Sequence, residues 1–233
     1  MDTIGANLQA VKSRIARAAQ ACGRAAADVG LVAVSKTFGA EAIAAAHACG
    51  QRAFGENHVQ EAVAKIAALE SREMEWHFIG PIQSNKTRLI AEHFDWVHSV
   101  DRLKIAERLS AARPPALAPL QVCIQVNIGG EATKSGVAPA DALALARAVA
   151  ALPRLKLRGL MAIPPETGDR AQQRRQFAQL RALRDKIAAA GIALDTLSMG
   201  MSADLEAAVA EGATLVRVGT AIFGARARIK ETA

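Results

Sequence analysis

The sequence has no tyrosine and few aromatic residues of any kind. Aromatic side chains make up 3% of its 233 residues, which leaves few platforms on which nucleic acid bases could stack. The net charge of +7 suits an anionic partner. However, the densest basic segment, residues 170–186, carries apolar residues at helical spacing and is typical of a solvated helix face. We therefore expect no nucleic acid partner.

Cysteines and long apolar runs are also scarce. Cys22, Cys49 and Cys123 are odd in number and lack CxxC spacing, and the five histidines lack HExxH spacing. A disulfide framework and a metal site are therefore not expected. Arg147 interrupts the most apolar stretch, residues 140–152, and the amino terminus lacks the basic and then apolar pattern of a secretory signal. The sequence predicts a cytoplasmic protein without a membrane-spanning segment.

Short apolar runs alternate with alanine-rich helical patterns along the whole chain. Strands are predicted at 31–35, 52–54, 76–79, 95–98, 120–128, 155–162, 194–199 and 215–218. Helices are predicted between them, at 40–48, 56–69, 84–93, 102–112, 139–151, 170–190 and 203–210.

This alternation indicates parallel strands joined by crossover helices. A closed (β/α)₈ TIM barrel is favoured over an open doubly wound sheet, which remains the alternative. We expect residues 1–233 to form a single domain. Within it, residues 1–20 place Ile4, Leu8, Val11 and Ile15 at helical spacing, which predicts an extra helix packing on the barrel.

Lys36 directly follows the first predicted strand. In a TIM barrel the active face lies at the carboxyl ends of the strands, so this amine is expected at the mouth of an apolar barrel. Loss of solvation there lowers the pKa of a lysine and makes its neutral amine a nucleophile toward aldehydes. A plain surface lysine is the alternative.

Glycine and hydroxyl residues follow the last two predicted strands. Gly219 allows close backbone approach, and Thr220 opens a short segment whose N–H groups suit an anion. Ser202 follows the preceding strand, so the two loops together predict a phosphate site. Simple helix capping by these residues is the alternative.

Further polar residues lie within or beside the strands. Arg217 stands between two valines, so burial requires a partner, either an acid within the barrel or a ligand. Asn57 follows the second strand and is placed to contact a bound ring. Glu56 suits the start of the next helix, where a carboxylate complements the helix dipole. His77 is a candidate to line the barrel mouth.

Several ordered motifs along the chain together resemble the pyridoxal phosphate homeostasis proteins. The motifs are VSKT at 34–37, FGEN at 54–57, HFIG at 77–80, QSNK at 83–86, SMGMSAD at 198–204 and RVGTAIFG at 217–224. The resemblance implies the barrel of the alanine racemase amino-terminal domain and pyridoxal 5′-phosphate (PLP) as cofactor.

The resemblance also implies roles for particular residues. Lys36 would hold PLP as a Schiff base, and Arg217 would face its pyridine nitrogen. The remaining cofactor-binding residues would be Ser202, Gly219 and Thr220 at the phosphate, and Asn57, Met161 and Met199 beside the ring. Lys134 would hold PLP at a second position, unless it is a solvated loop lysine. No catalytic residue is expected.

The function implied is intracellular homeostasis of this vitamin B6 cofactor, by buffering PLP or supplying it to apo forms of PLP-dependent enzymes, without efficient turnover. A monomer is expected. The alternative is an amino-acid racemase of the same barrel type. Alanine racemases use a tyrosine opposite the lysine, and this chain has none. A Schiff-base aldolase acting on a sugar phosphate would share Lys36 and the phosphate site.

Overall fold

Eight parallel strands close into a barrel in the computed structural model, which describes residues 3–69, 73–131 and 134–225. Each strand pairs with the next along the chain, and the last pairs with the first. The strands are β1 (Gly30–Val34), β2 (Ala53–Glu56), β3 (Glu75–Phe78), β4 (Trp96–Val100), β5 (Leu120–Gln125), β6 (Leu155–Met161), β7 (Thr196–Ser198) and β8 (Leu215–Val218). The predicted TIM barrel is confirmed, and the open sheet is wrong because β8 pairs with β1 along four residue pairs.

Helices connect successive strands and form the outer layer. They are α1 (Thr3–Gln20), α2 (Ala40–Ala48), α3 (Val59–Leu69), α4 (Thr87–His93), α5 (Leu103–Ala112), α6 (Ala142–Ala150), α7 (Arg170–Ala189), α8 (Leu205–Ala210) and α9 (Thr220–Phe223), with 3-10 turns at Ala26–Asp28 and Ser84–Lys86. The prediction that Glu56 begins a helix is wrong. Glu56 is the last residue of β2 and pairs with Phe78 of β3.

The barrel separates an apolar layer from a more polar interior. The main hydrophobic core includes fully buried strand residues such as Leu160, Leu197 and Val218. A second, small apolar cluster contains Trp96, Cys123 and Met161. Barrel interiors are usually filled by branched apolar side chains. Buried polar residues on these strands, such as His98 and Arg217, therefore need an explanation.

Helix α1 forms hydrogen bonds with the segments that follow β7 and β8. The Asn7 side-chain amide donates to the carbonyl of Ile222 at 3.0 Å. Arg14 donates to the carbonyl of Ser202 at 3.1 Å and pairs with Glu206. The loop that contains Ser202 and the short helix α9, which begins at Thr220, are therefore both hydrogen-bonded to α1. None of the helices within the described ranges has the length and apolar character needed to cross a membrane.

Gly159 is a position where the barrel admits no side chain. It pairs with Thr196 of β7, and a Cβ added there would overlap the Thr196 carbonyl group. Since strand backbones cannot separate without breaking the barrel, Gly159→Ala should lower the free energy of unfolding by about 1–3 kcal/mol. Urea unfolding measures this. Gly168→Ala is the matched control, because no atom lies within 4 Å of its added Cβ. Equal midpoints for the two variants would contradict the prediction.

Candidate functional site

Lys36 lies at the carboxyl end of β1, beside the loop that follows β8. It stands just beyond Val34, the last residue of β1, and is half-buried. Gly219 directly follows β8, and a Cβ added to it would lie 2.9 Å from the carbonyl oxygen of Val34. Glycine is needed here because the loop backbone rests on the end of β1. Lys36 and the start of α9 therefore share one corner of the barrel mouth.

A buried ion pair holds the residue before Lys36. The Ser35 hydroxyl donates to Glu56 Oε1 at 2.6 Å, and Lys65 Nζ donates to the Ser35 carbonyl at 2.9 Å. Lys65 Nζ also contacts Glu56 Oε1 at 2.8 Å. Both the Glu56 and Lys65 side chains are almost completely buried. Burial raises the pKa of Glu56, and the bonds from Lys65 and Ser35 oppose that rise.

The residue after Lys36 is held by the same cluster. The Thr37 N–H donates to Glu61 Oε1 at 2.7 Å, and Lys65 Nζ contacts that oxygen at 2.6 Å. Thr37 adopts a φ of 70°, a left-handed conformation that a residue with a branched side chain rarely adopts. The cluster of Ser35, Glu56, Glu61 and Lys65, which we call the clamp, thus fixes the backbone on both sides of Lys36.

Asn57 presents an unpaired polar atom at the end of β2. Its Oδ1 is buried and has no hydrogen-bond partner. A Cβ added to Gly80 would lie 2.7 Å from the Cα of Asn57, so the end of β3 presses directly against this residue. Because a buried amide oxygen without a partner is costly, Asn57 fits a site whose missing partner is a ligand.

Arg217 is buried among neutral acceptors. Its Nη1 donates to Ser198 Oγ at 2.6 Å and its Nη2 to the Ala162 carbonyl at 3.0 Å. Burial lowers the pKa of the guanidinium to about 10, which still leaves it charged at neutral pH. Across the described ranges, no carboxylate lies within ion-pair distance of it. The salt bridge considered as an alternative is therefore not what accommodates this charge.

The other predicted site residues lie on β6 and on the segments that follow β7 and β8. Met161 ends β6 in the small interior cluster. Ser202 is half-buried in the loop after β7, and Thr220 is exposed at the start of α9; α1 bonds to both segments. Met199, predicted to lie beside the ring, is completely buried. Its side chain packs in the main hydrophobic core, whereas the neighbouring Ser198 faces Arg217, because successive strand residues point to opposite faces.

Lys134 and His77 differ in their exposure to solvent. Lys134 pairs with Glu131 at 2.5 Å and is 38% exposed, and it lines a cavity of 240 Å³ with Gln125 and Ile163. His77 is completely buried and does not line the mouth.

Among the residues that the structure describes, no group of three or more His, Cys, Asp or Glu residues could hold a metal ion.

Comparison with known protein families gives one match that spans nearly the whole chain. Residues 6–227 match the family model of the alanine racemase amino-terminal domain. The pyridoxal phosphate homeostasis protein of Pseudomonas aeruginosa is 63% identical over 226 residues, which cover 97% of each chain. The protein of that name from Escherichia coli is 54% identical over 235 residues, which cover 97% of this chain and 98% of that one.

Solved structures show the same barrel. PipY of Synechococcus elongatus, determined with PLP bound, superposes with a TM-score of 0.82 at 40% identity, covering 95% of this chain and all of that one. Alanine racemase from Corynebacterium glutamicum superposes with a TM-score of 0.71 at 19% identity, covering 96% of this chain and 61% of that one. At that identity the racemase likeness concerns the fold alone.

The clamp leads to a prediction about Lys65. Lys65→Met would leave Glu56 as a buried carboxylate without its cation, so the free energy of unfolding should fall by about 3–5 kcal/mol. Urea unfolding measures the change, with Lys104→Met on the exposed face of α5 as the control. The double variant Glu56→Gln/Lys65→Met should regain part of the loss, because it removes both charges. If Lys65→Met is as stable as Lys104→Met, the clamp has no energetic role.

Proposed function

The chain belongs to the pyridoxal phosphate homeostasis protein family, and on this basis we propose that it binds PLP and acts in its homeostasis. In this proposal PLP is held through a Schiff base to Lys36. The protein buffers the cofactor in the cytoplasm as a monomer, and it exchanges PLP with apo forms of PLP-dependent enzymes. It does not catalyse efficient turnover of amino acids.

The observation that carries the proposal is the shared corner of Lys36 and Gly219. PLP supplies an aldehyde that reacts with an amine and a phosphate that needs N–H donors. The half-buried amine of Lys36 lies at the end of β1, and the first N–H groups of α9, which have no partner within a helix, follow β8 next to it. Gly219, Thr220 and Ser202 would bind the phosphate there.

The residues around this corner also fit the cofactor's ring. Asn57 offers the buried amide oxygen that lacks a partner. Arg217 offers a charged donor for the pyridine nitrogen, and Met161 offers an apolar surface in the barrel interior. Met199 would act only by packing behind the strand, since it lies in the main hydrophobic core.

Two features of the chain favour a carrier over an enzyme. Arg217 is a permanent donor, so it would leave the ring nitrogen unprotonated and weaken the ring as an electron sink. Racemisation in this fold also needs a second acid or base opposite the lysine, and the sequence has no tyrosine to supply it. Both features support binding and release of PLP more than carbanion chemistry.

The covalent attachment is tested by borohydride reduction. The Lys36 amine and the PLP aldehyde condense with loss of water, and hydride addition then makes the bond permanent. After incubation with PLP and reduction, peptide mass spectrometry should place the adduct on Lys36. The adduct should be lost in Lys36→Ala and kept in Lys104→Ala. Lys134→Ala measures any second position. An unchanged adduct pattern in Lys36→Ala would overturn the assignment.

Absence of turnover is tested with a panel of L- and D-amino acids. The PLP-loaded protein should give no more chiral inversion than free PLP at the same concentration, because the sequence has no tyrosine to act as the second base. Chiral chromatography of the products measures this. Robust inversion that disappears in Lys36→Ala would show that the protein is a racemase.

A further inference from the structure

A continuous hydrogen-bond chain crosses the barrel interior behind Arg217. Arg217 Nη1 contacts Ser198 Oγ at 2.6 Å, and Ser198 Oγ contacts His98 Nδ1 at 2.7 Å. His98 Nε2 contacts His77 Nδ1 at 2.9 Å, and His77 Nε2 contacts Glu75 Oε1 at 2.7 Å. The chain therefore links β8 and β7 to β4 and β3, on the other side of the barrel.

The chain runs from a dry interior to solvent. Ser198, His98 and His77 are completely buried, and Arg217 is 3% exposed. The Glu75 side chain, at the first residue of β3, is 46% exposed. Since strands begin at the floor of a barrel and end at its mouth, Glu75 marks the floor, and Arg217 lies toward the candidate site.

One arrangement of protons satisfies every bond with both imidazoles neutral. In it the Ser198 hydroxyl accepts from Arg217, which only donates, and gives its own proton to His98 Nδ1. His98 must then carry its proton on Nε2 and donate to His77 Nδ1. His77 in turn carries its proton on Nε2 and donates to the Glu75 carboxylate, which only accepts. In this arrangement both histidines are Nε2–H tautomers.

The electrostatic surroundings agree with this direction. Burial lowers the pKa of His98 well below its usual value, and the neighbouring Arg217 guanidinium lowers it further. The hydrogen bond from His77 is the largest cause that lowers the pKa of Glu75. A second proton on His98 would place two cations in one dry interior.

The indole of Trp96 holds the two imidazoles in place. Its ring centroid lies 5.5 Å from that of His77, with the rings stacked, and 5.8 Å from that of His98. Ring orientation is therefore set by packing as well as by hydrogen bonding. A histidine pair that is packed on an indole and bonded at all ring nitrogens is a built feature of the barrel.

We propose that Glu75, His77, His98 and Ser198 are positioning residues that hold Arg217 in place and balance its charge from the barrel floor. The hydrogen-bond dipoles along the chain are aligned, with their electron-rich acceptor ends toward the guanidinium, and the chain ends on the Glu75 carboxylate. Successive hydrogen bonds in such a chain polarise and strengthen one another. Arg217 thereby needs no adjacent carboxylate, and its other N–H donors remain for the pyridine nitrogen. This last step rests on the proposed function.

The tautomers are measured in the apo protein, so this test does not depend on PLP. Long-range ¹H–¹⁵N spectra of histidine-labelled protein should show His77 and His98 as Nε2–H tautomers, assigned with single His→Gln variants. The exposed His58 and His93 serve as internal controls, because neither belongs to the hydrogen-bond chain. An Nδ1–H tautomer at His98, or a doubly protonated His98 at neutral pH, would overturn the proposal.

The effect on the site is measured with Ser198→Ala. Removing one hydrogen bond to a charged group should weaken PLP binding by about ten-fold or more and shift the absorption band of the bound cofactor. Ser110→Ala is the matched control, because Ser110 is also buried and donates to a backbone carbonyl, that of Pro153. It should leave both readouts unchanged.

The outcomes separate this proposal from the proposed function. If the intact protein does not bind PLP, the proposed function fails while the tautomers still decide whether the chain exists. If PLP binds but Ser198→Ala behaves like Ser110→Ala, the positioning role fails and the proposed function stands. A Ser198→Ala variant with weaker binding and a shifted band, together with the two Nε2–H tautomers, supports the positioning role.

Discussion

A permanent positive charge buried inside the barrel is the constraint on which the site depends. Arg217 is almost inaccessible to solvent, and its guanidinium donates to a hydroxyl and a backbone carbonyl. Burying a cation without compensation is costly enough that the surrounding residues must be organised around it. The hydroxyl at Ser198 and the imidazoles at His77 and His98 occupy interior positions that apolar side chains fill in most such barrels.

At the mouth of the barrel, buried charges are compensated by direct ion pairs. Around Lys36, the opposite charges of Lys65, Glu56 and Glu61 lie in direct contact. Their hydrogen bonds end on the backbone of Ser35 and Thr37, so they define the path of the chain on both sides of Lys36. The backbone is the part held at the mouth, whereas Arg217 in the interior is held by its side-chain contacts.

The sequence predicted those parts of the fold and site that depend on local signals. Lys36 and Gly219 follow apolar runs directly, so their place at the strand ends could be predicted from the alternation of strands and helices. The role of Lys65 could not, because a lysine on an alanine-rich helix is normally solvated. The contact of His98 with Ser198 joins residues 100 positions apart, and only the closure of the barrel brings them together.

The direction of the Met199 side chain could not be predicted either. Parallel strands buried on both faces lack the polar and apolar alternation that reveals which way a side chain points, so a one-residue difference in direction is invisible in the sequence. Ser198, the polar residue next to Met199, is the one that faces the interior. In such a barrel, an isolated polar residue within an apolar strand is therefore a better guide to the interior than an apolar residue at the strand end. Arg217 between two valines obeys the same rule.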